Sequence, residues 1–149
     1  MSVFPTKILL ATDNSEEAQL ATQAATEVSR ETGSEVHVIY VLPTPGQLLG
    51  PHHYSDEIRE SLIGRAERDA ETFLKEQAEK ITSEGGKVAE THLRSGDSDK
   101  EIVRAAEALD VGLIVIGSRG LGAVSRLLMG SVSDSVVRHA HCPVWVVRK

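Results

Sequence analysis

Five short apolar runs alternate along this chain with four stretches of helical spacing, and that alternation leaves few ways to fold. Strands separated by helices pair in parallel, because each crossover must carry the chain back to the same end of the sheet. The helices then cover both faces, and the expected fold class is α/β: an open, Rossmann-like three-layer sandwich around a five-stranded parallel sheet. Lys7 to Thr12 is the first run, ended by Asp13-Asn14-Ser15. Its unbroken apolarity suits a strand covered on both sides. Ser15 is placed to cap a helix whose first turn holds Glu16 and Glu17, where acidic groups complement the helix dipole. Ala18, Ala21, Ala25 and Val28 recur at helical spacing, Gly33 is the expected stop, and the mostly alanine face allows a close approach to a sheet. Glu35 to Leu42, rich in β-branched residues, is the second strand.

Pro43 to His53, with three prolines and two glycines, reads as a loop. From about Ser55 to Ser83 a helix of about 40 Å follows, at ~1.5 Å per residue. Its stripe is Ile58, Leu62, Ala66, Ala70, Phe73, Leu74, Ala78 and Ile81, and Gly85-Gly86 stops it. Lys87 to Arg94 alternates and is less apolar, which puts the third strand nearer an edge. Asp97 or Ser98 caps the next helix, and Glu101 completes a capping box if Ser98 is the cap. Val111 to Ile116 is the fourth strand and the most buried by composition. Ser131 or Ser133 is the expected cap of the last helix, and Pro143 to Val147 is the fifth strand.

With 149 residues the natural reading is one domain, 1–149, large enough for a core, and aromatics at 3% make that core aliphatic. A formal net charge of −6 argues against nucleic acid or an anionic membrane as partner. No apolar run approaches the ~20 residues of a membrane helix. Met1 to Pro5 lacks the basic start of a signal peptide, and Cys142 has no cysteine to pair with, so a cytoplasmic location is expected. Cys142 itself reads as a small, partly buried thiol.

The stretch Gly117 to Ser133 carries the chemistry. Four glycines and four serines lie between the most apolar strand and a helix start, which is how a chain exposes backbone N–H groups to an anion. No Gly-Lys-Ser or Gly-Lys-Thr occurs, so this is not a P-loop. Ser125 stands where a dinucleotide fingerprint needs its third glycine, and the stretch follows the fourth strand rather than the first. His52-His53 and His139-x-His141 lack the further ligands that a protein metal site needs at a familiar spacing, and no serine–histidine–aspartate order can be assigned.

What does stand here is Gly117-x-x-Gly120, nine residues, then Gly130-Ser131, after the fourth strand of a five-stranded α/β chain. This resembles the ATP-binding signature of the universal stress protein family. Lys7 to Asp13 with Ser15 resembles that family's opening strand and aspartate, and Gly130 to Ser133 through His141-Cys142-Pro143-Val144 resembles its closing helix and strand. The resemblance implies the adenine nucleotide alpha hydrolase-like variety of the fold. It also implies roles: Ala11 and Thr12 border the nucleoside, and Asp13 meets the ribose or a metal carried by the phosphates. Val41 flanks the adenine with a backbone hydrogen bond, and Ile116 and Gly117 line the adenosine. Gly120, Gly130, Ser131, Val132 and Ser133 hold the phosphates. Arg119, beside Gly120, joins the candidate set, although it also reads as a solvated charge.

The implied ligand is ATP, or AMP or ADP, with Mg²⁺ or Mn²⁺ on the phosphates rather than on protein side chains alone. With no phosphate-loop lysine, no evident base and no assignable arginine finger, the expectation is binding with slow hydrolysis at most. The leading reading is an ATP-binding stress-response or regulatory protein acting as a nucleotide-dependent switch or sensor. The alternatives are a dimeric interaction module with a vestigial site and a slow ATPase. Val144 to Val147 makes an apolar last strand that, at an edge, needs cover, and a second copy of the same strand would provide it. Residues 121–129 are expected to cover the nucleotide.

Overall fold

The computed structural model describes residues 7–118 and 130–149. In chain order the elements are β1 (Lys7–Ala11), α1 (Glu16–Thr32), β2 (Glu35–Leu42), α2 (Pro45–Leu49), α3 (Asp56–Ser83), β3 (Lys87–Ser95), α4 (Ser98–Leu109), β4 (Leu113–Gly117), α5 (Ser131–His139) and β5 (Val144–Val147). The five strands form one sheet in the order β3-β2-β1-β4-β5, and every neighbouring pair is parallel. The chain winds outward from β1 to β3, then α4 returns it to the other side of β1. The switch point therefore lies between β1 and β4, where ligands of open α/β sheets bind.

Side-chain alternation sorts the core into two layers. Ile8 and Leu10, with Val36, Val38 and Val115, face α1 and α3, meeting Ala21, Ala25, Leu74 and Ile81. Leu9 and Ala11, with Ile39, Ile114 and Ile116, face α4 and α5, meeting Ile102, Ala105, Ala106 and Val136. Burying β1 and β4 on both faces is what their continuous apolar runs anticipated. β3 lies at one edge, as its weaker apolarity anticipated, and β5 at the other, where Trp145 keeps 43% of its surface exposed.

Local signals decide most of the helix ends. Ser15 accepts the Ala18 N–H at 3.1 Å as N-cap of α1, and Gly33 takes the left-handed conformation (φ 76°) that ends it. The loop expected over Pro43 to His53 instead contains α2. Thr44 and Gln47 form a reciprocal capping box and Pro45 occupies the first helical turn, so a proline read as a breaker acts as a starter. Of the two caps expected for α4, Asp97 is the one observed, without a side-chain cap bond, so the box that depended on Ser98 is absent and Glu101 pairs with Arg104 at 3.0 Å. β4 begins at Leu113 rather than Val111, because the Val111 N–H still bonds back to Ala106 O of α4.

The stripe of α3 is buried only in its second half, at Ala70, Leu74 and Ile81. Ile58 is 51% exposed and Leu62 37%. The helix has 28 residues against eight and nine in the strands it covers, about 42 Å of helix over about 30 Å of sheet, so its first turns overhang.

Across β2 and β3, His37 Nδ1 and His92 Nε2 lie 3.0 Å apart with the rings stacked at 5.3 Å. A bulge after Val36 sets Glu90 opposite His37, so Glu90, His92 and Arg94 share this face of β3, while α4 turns Ile102, Ala105 and Ala106 towards the sheet. Burial holds the pKa of His92 below the ordinary 6.5; His37 adds to the lowering, Glu90 opposes it and Arg94 adds to it. A proton therefore prefers the unfolded chain. The stability that the neutral His92 contributes is complete above pH 6.5 and is lost as the pH falls from there through the folded value. The urea midpoint is expected to fall between pH 7 and pH 5, and to fall less in His92→Gln. An equal fall in both proteins would remove the pair from the account.

Candidate functional site

β1, β2 and β4 end together, and the candidate residues gather at those ends. Ala11 and Ile116 are buried, and the half-buried Val41 and Val132 pack into the same apolar cluster on the α4 and α5 side of the sheet. Four residues separated by up to 121 positions thus share one apolar cluster, because the parallel order places β2, β1 and β4 side by side. Thr12 is buried and its N–H bonds to Ile39 O at 3.1 Å, which locks the exit of β1 to β2. The chain then turns through Asn14 at φ 67°, and Asp13 Oδ1 accepts the Ser15 N–H at 3.0 Å. Asp13 is half-buried, and among the described residues its Oδ2 has no hydrogen-bond partner.

Asp13 also acts on Tyr40, a residue that the spacing of motifs did not single out. Burial raises the Tyr40 phenol above its ordinary pKa of 10.0 and the Asp13 carboxylate raises it further, so the phenol stays protonated at neutral pH. Its ring meets Phe73 of α3 edge-on at 5.6 Å.

The helix end on the other side differs from expectation. Gly130, not Ser131 or Ser133, is the N-cap of α5, at φ −65° and ψ 155° and with no side-chain cap bond. The first intrahelical bond is Asp134 N–H to Gly130 O at 3.0 Å, so the N–H groups of Ser131, Val132 and Ser133 precede the ladder. Ser131 is exposed. Ser133 is buried, and its hydroxyl lies 2.6 Å from Ser118 O and 3.0 Å from Gly130 O. The Ser133 hydroxyl therefore braces the turn, and its backbone N–H remains one of the three that precede the ladder.

Gly117 also has a structural duty. A Cβ there would lie 2.8 Å from Glu17 C and 3.0 Å from both Glu17 O and Ala18 N, so the end of β4 presses directly on the first turn of α1. Arg119, Gly120 and the cover expected over 121–129 lie outside the described residues.

Two residues at the centre of the site were not singled out in the sequence. Ser118 is buried and bonds four ways: N–H to Val147 O of β5 at 2.8 Å, hydroxyl to the Glu17 carboxylate, and carbonyl from Gly130 N–H and Ser133 Oγ, each at 2.6 Å. Glu17 is only 5% exposed. In sequence it is one of two acidic residues in a first helical turn, and its partner is 101 positions away. The one local hint is that Glu17 precedes Ala18 on the alanine stripe that faces the sheet.

The remaining candidates are occupied elsewhere. His141 Nε2 lies 3.1 Å from Val111 O and His139 Nδ1 2.8 Å from Ser135 O. Among the described residues no three of His, Cys, Asp or Glu converge as a metal would require. Burial pushes the Cys142 thiol above its ordinary pKa, which disfavours a thiolate. Among the described residues no helix is long and apolar enough to cross a membrane.

Comparison with known proteins agrees with the fold. The model of the universal stress protein family matches residues 5–148. The chain is 34% identical over 143 residues to universal stress protein MJ0531 of Methanocaldococcus jannaschii, covering 96% of this chain and 82% of that one. Among solved structures, the hypothetical protein MJ0577 superposes with a TM-score of 0.81 at 26% identity, covering 97% and 96% of the two chains. The universal stress protein of Archaeoglobus fulgidus solved in complex with dAMP superposes with a TM-score of 0.66 at 25% identity, covering 99% and 100%.

Proposed function

The chain belongs to the universal stress protein family, and on that premise we propose that it binds ATP, or AMP or ADP, at the ends of β1, β2 and β4 and acts in the cytoplasm as a nucleotide-dependent regulator. One observation carries the reading: Ala11, Val41, Ile116 and Val132 belong to one apolar cluster, and Val132 lies in the first turn of α5, whose N-terminus has no side-chain cap bond. A flat apolar base fits the cluster. Phosphates fit the N–H groups of Ser131, Val132 and Ser133, where the helix dipole adds partial positive charge. Asp13, across the crevice, has a carboxylate oxygen to offer the ribose or a phosphate-bound Mg²⁺ or Mn²⁺. An oxygen donor of this kind suits those hard cations, which keep most of their ligands from phosphate and water. The dAMP complex of the Archaeoglobus fulgidus protein lends support for an adenine nucleotide.

The reading is of binding rather than turnover, with hydrolysis slow at most. It is tested by mass spectrometry of what copurifies. An adenine nucleotide in the wild type and none in Asp13→Ala is expected; protein that carries none, and takes up none when ATP is added, would overturn it.

The same reading includes a homodimer. β5 is an edge strand of Val144, Trp145, Val146 and Val147, and its exposed side would pair with the same strand of a second copy about a two-fold axis. Sedimentation at micromolar concentration is expected to give a dimer, and Trp145→Lys a monomer. A wild-type monomer throughout that range would refute it.

A further inference from the structure

Ser118 is the point at which three elements around the crevice meet. Its hydroxyl donates to Glu17 on α1, its carbonyl receives Gly130 N–H and Ser133 Oγ at the start of α5, and its N–H donates to Val147 O on β5. Glu17 is a buried acid, yet nothing in the nucleotide reading uses it. Burying a carboxylate costs free energy unless hydrogen bonds compensate it, so a glutamate retained here is answered by what it holds in place.

Its own backbone cannot shift. Gly117 brings β4 so close to Glu17 and Ala18 that even a Cβ would not fit, and Ser15 caps the same turn. The Glu17 carboxylate is therefore a fixed acceptor that sets the rotation of Ser118. Ser118 in turn sets where the first N–H groups of α5 point. Among the described residues none of the hydrogen bonds of Ser118 reaches Ala11, Val41 or the side chain of Ile116, at the base and ribose ends of the crevice. Only the phosphate end depends on it.

We propose that Glu17, acting through Ser118, is a positioning residue that aligns the N-terminus of α5 and so sets the preference for phosphorylated over unphosphorylated adenosine. This rests on the adenine-nucleotide reading above. A hydrogen bond to a charged acceptor has the strength to change an affinity by about tenfold when it is lost.

The test is the ratio of adenosine Kd to ATP Kd, measured by titration calorimetry on the full chain with Mg²⁺ present. Glu17→Ala and Ser118→Ala are each expected to lower the ratio about tenfold, by weakening ATP and sparing adenosine. Glu17→Gln keeps an oxygen that can accept the Ser118 hydroxyl and is expected to keep the ratio within about twofold. The double variant Glu17→Ala/Ser118→Ala is expected to be no worse than either single one, as residues in series require. Equal weakening of adenosine and ATP would reduce Glu17 to a general packing role and overturn the inference. So would Glu17→Gln behaving like Glu17→Ala, since the charge rather than the bond would then be at work. If Glu17→Ala fails to fold, Ser118→Ala and Glu17→Gln, which both keep the side-chain volume nearly constant, decide the matter. A wild type that binds neither adenosine nor ATP would instead refute the nucleotide reading itself, a separate outcome.

Discussion

Replacing Gly117 by alanine is expected to lower the free energy of unfolding by about 3 kcal/mol, at the upper end of the usual cost of overpacking. For a chain of this size that is a fall of roughly 6 to 12 °C in melting temperature. The added methyl would meet backbone atoms, Glu17 C at 2.8 Å and Glu17 O and Ala18 N at 3.0 Å, so no flexible side chain can swing away to accommodate it. α1 cannot retreat easily either, because Ala18, Ala21 and Ala25 seat it on the sheet. Urea denaturation without nucleotide isolates this effect. A Gly117→Ala protein as stable as wild type would mean that the glycine serves only the ligand. The expected result makes it a packing requirement first: the ligand benefits because α1, β4 and Asp13 are held in register.

Gly130→Asp is expected to separate stability from binding. With ATP at a hundred times its Kd, the wild type should gain about 2.7 kcal/mol against unfolding. The aspartate variant should gain nothing, because its carboxylate would stand where the phosphates are to bind. Without nucleotide the variant should be equally stable or a few tenths of a kcal/mol more stable. Gly130 is at φ −65° and ψ 155°, which any residue adopts, and as N-cap it now lacks a side-chain bond to the helix end. An aspartate can supply that bond, so the substitution repairs a helix end while closing an anion site. Thermal melts with and without ATP measure both effects. An undiminished ATP shift in Gly130→Asp would place the phosphates elsewhere.

α1, α2 and α3 are capped by the side chains of serine or threonine, whereas α5, like α4, has no side-chain cap bond. α5 does have Ser131 and Ser133 nearby, and the expectation that one of them caps it followed the ordinary rule. The rule failed because Ser118 O, brought in from the end of β4, takes the Ser133 hydroxyl. A tertiary acceptor displaced the local one. The overhang of α3 has the same kind of cause. Its apolar stripe is continuous in sequence from Ile58 to Ile81, but a stripe cannot report how long the sheet beneath it is.

The class of fold, the two-sided burial of β1 and β4, the capping of α1 by Ser15 and the place of the glycine-serine stretch after the fourth strand were all legible in the chain. They depend on periodicity and on residues within about four positions of each other, where covalent geometry limits what neighbours can do. The order of the strands and the tie from Glu17 to Ser118 were not, and the gathering of Ala11, Val41, Ile116 and Val132 was implied only by the family resemblance. Glu17 and Ser118 are 101 residues apart and become partners only because α4 returns the chain across β1, bringing β4 under the first turn of α1. Local sequence determined that this protein has a strand followed by a glycine-serine stretch and a helix start. The winding of the sheet alone decided which buried carboxylate would hold that end in place.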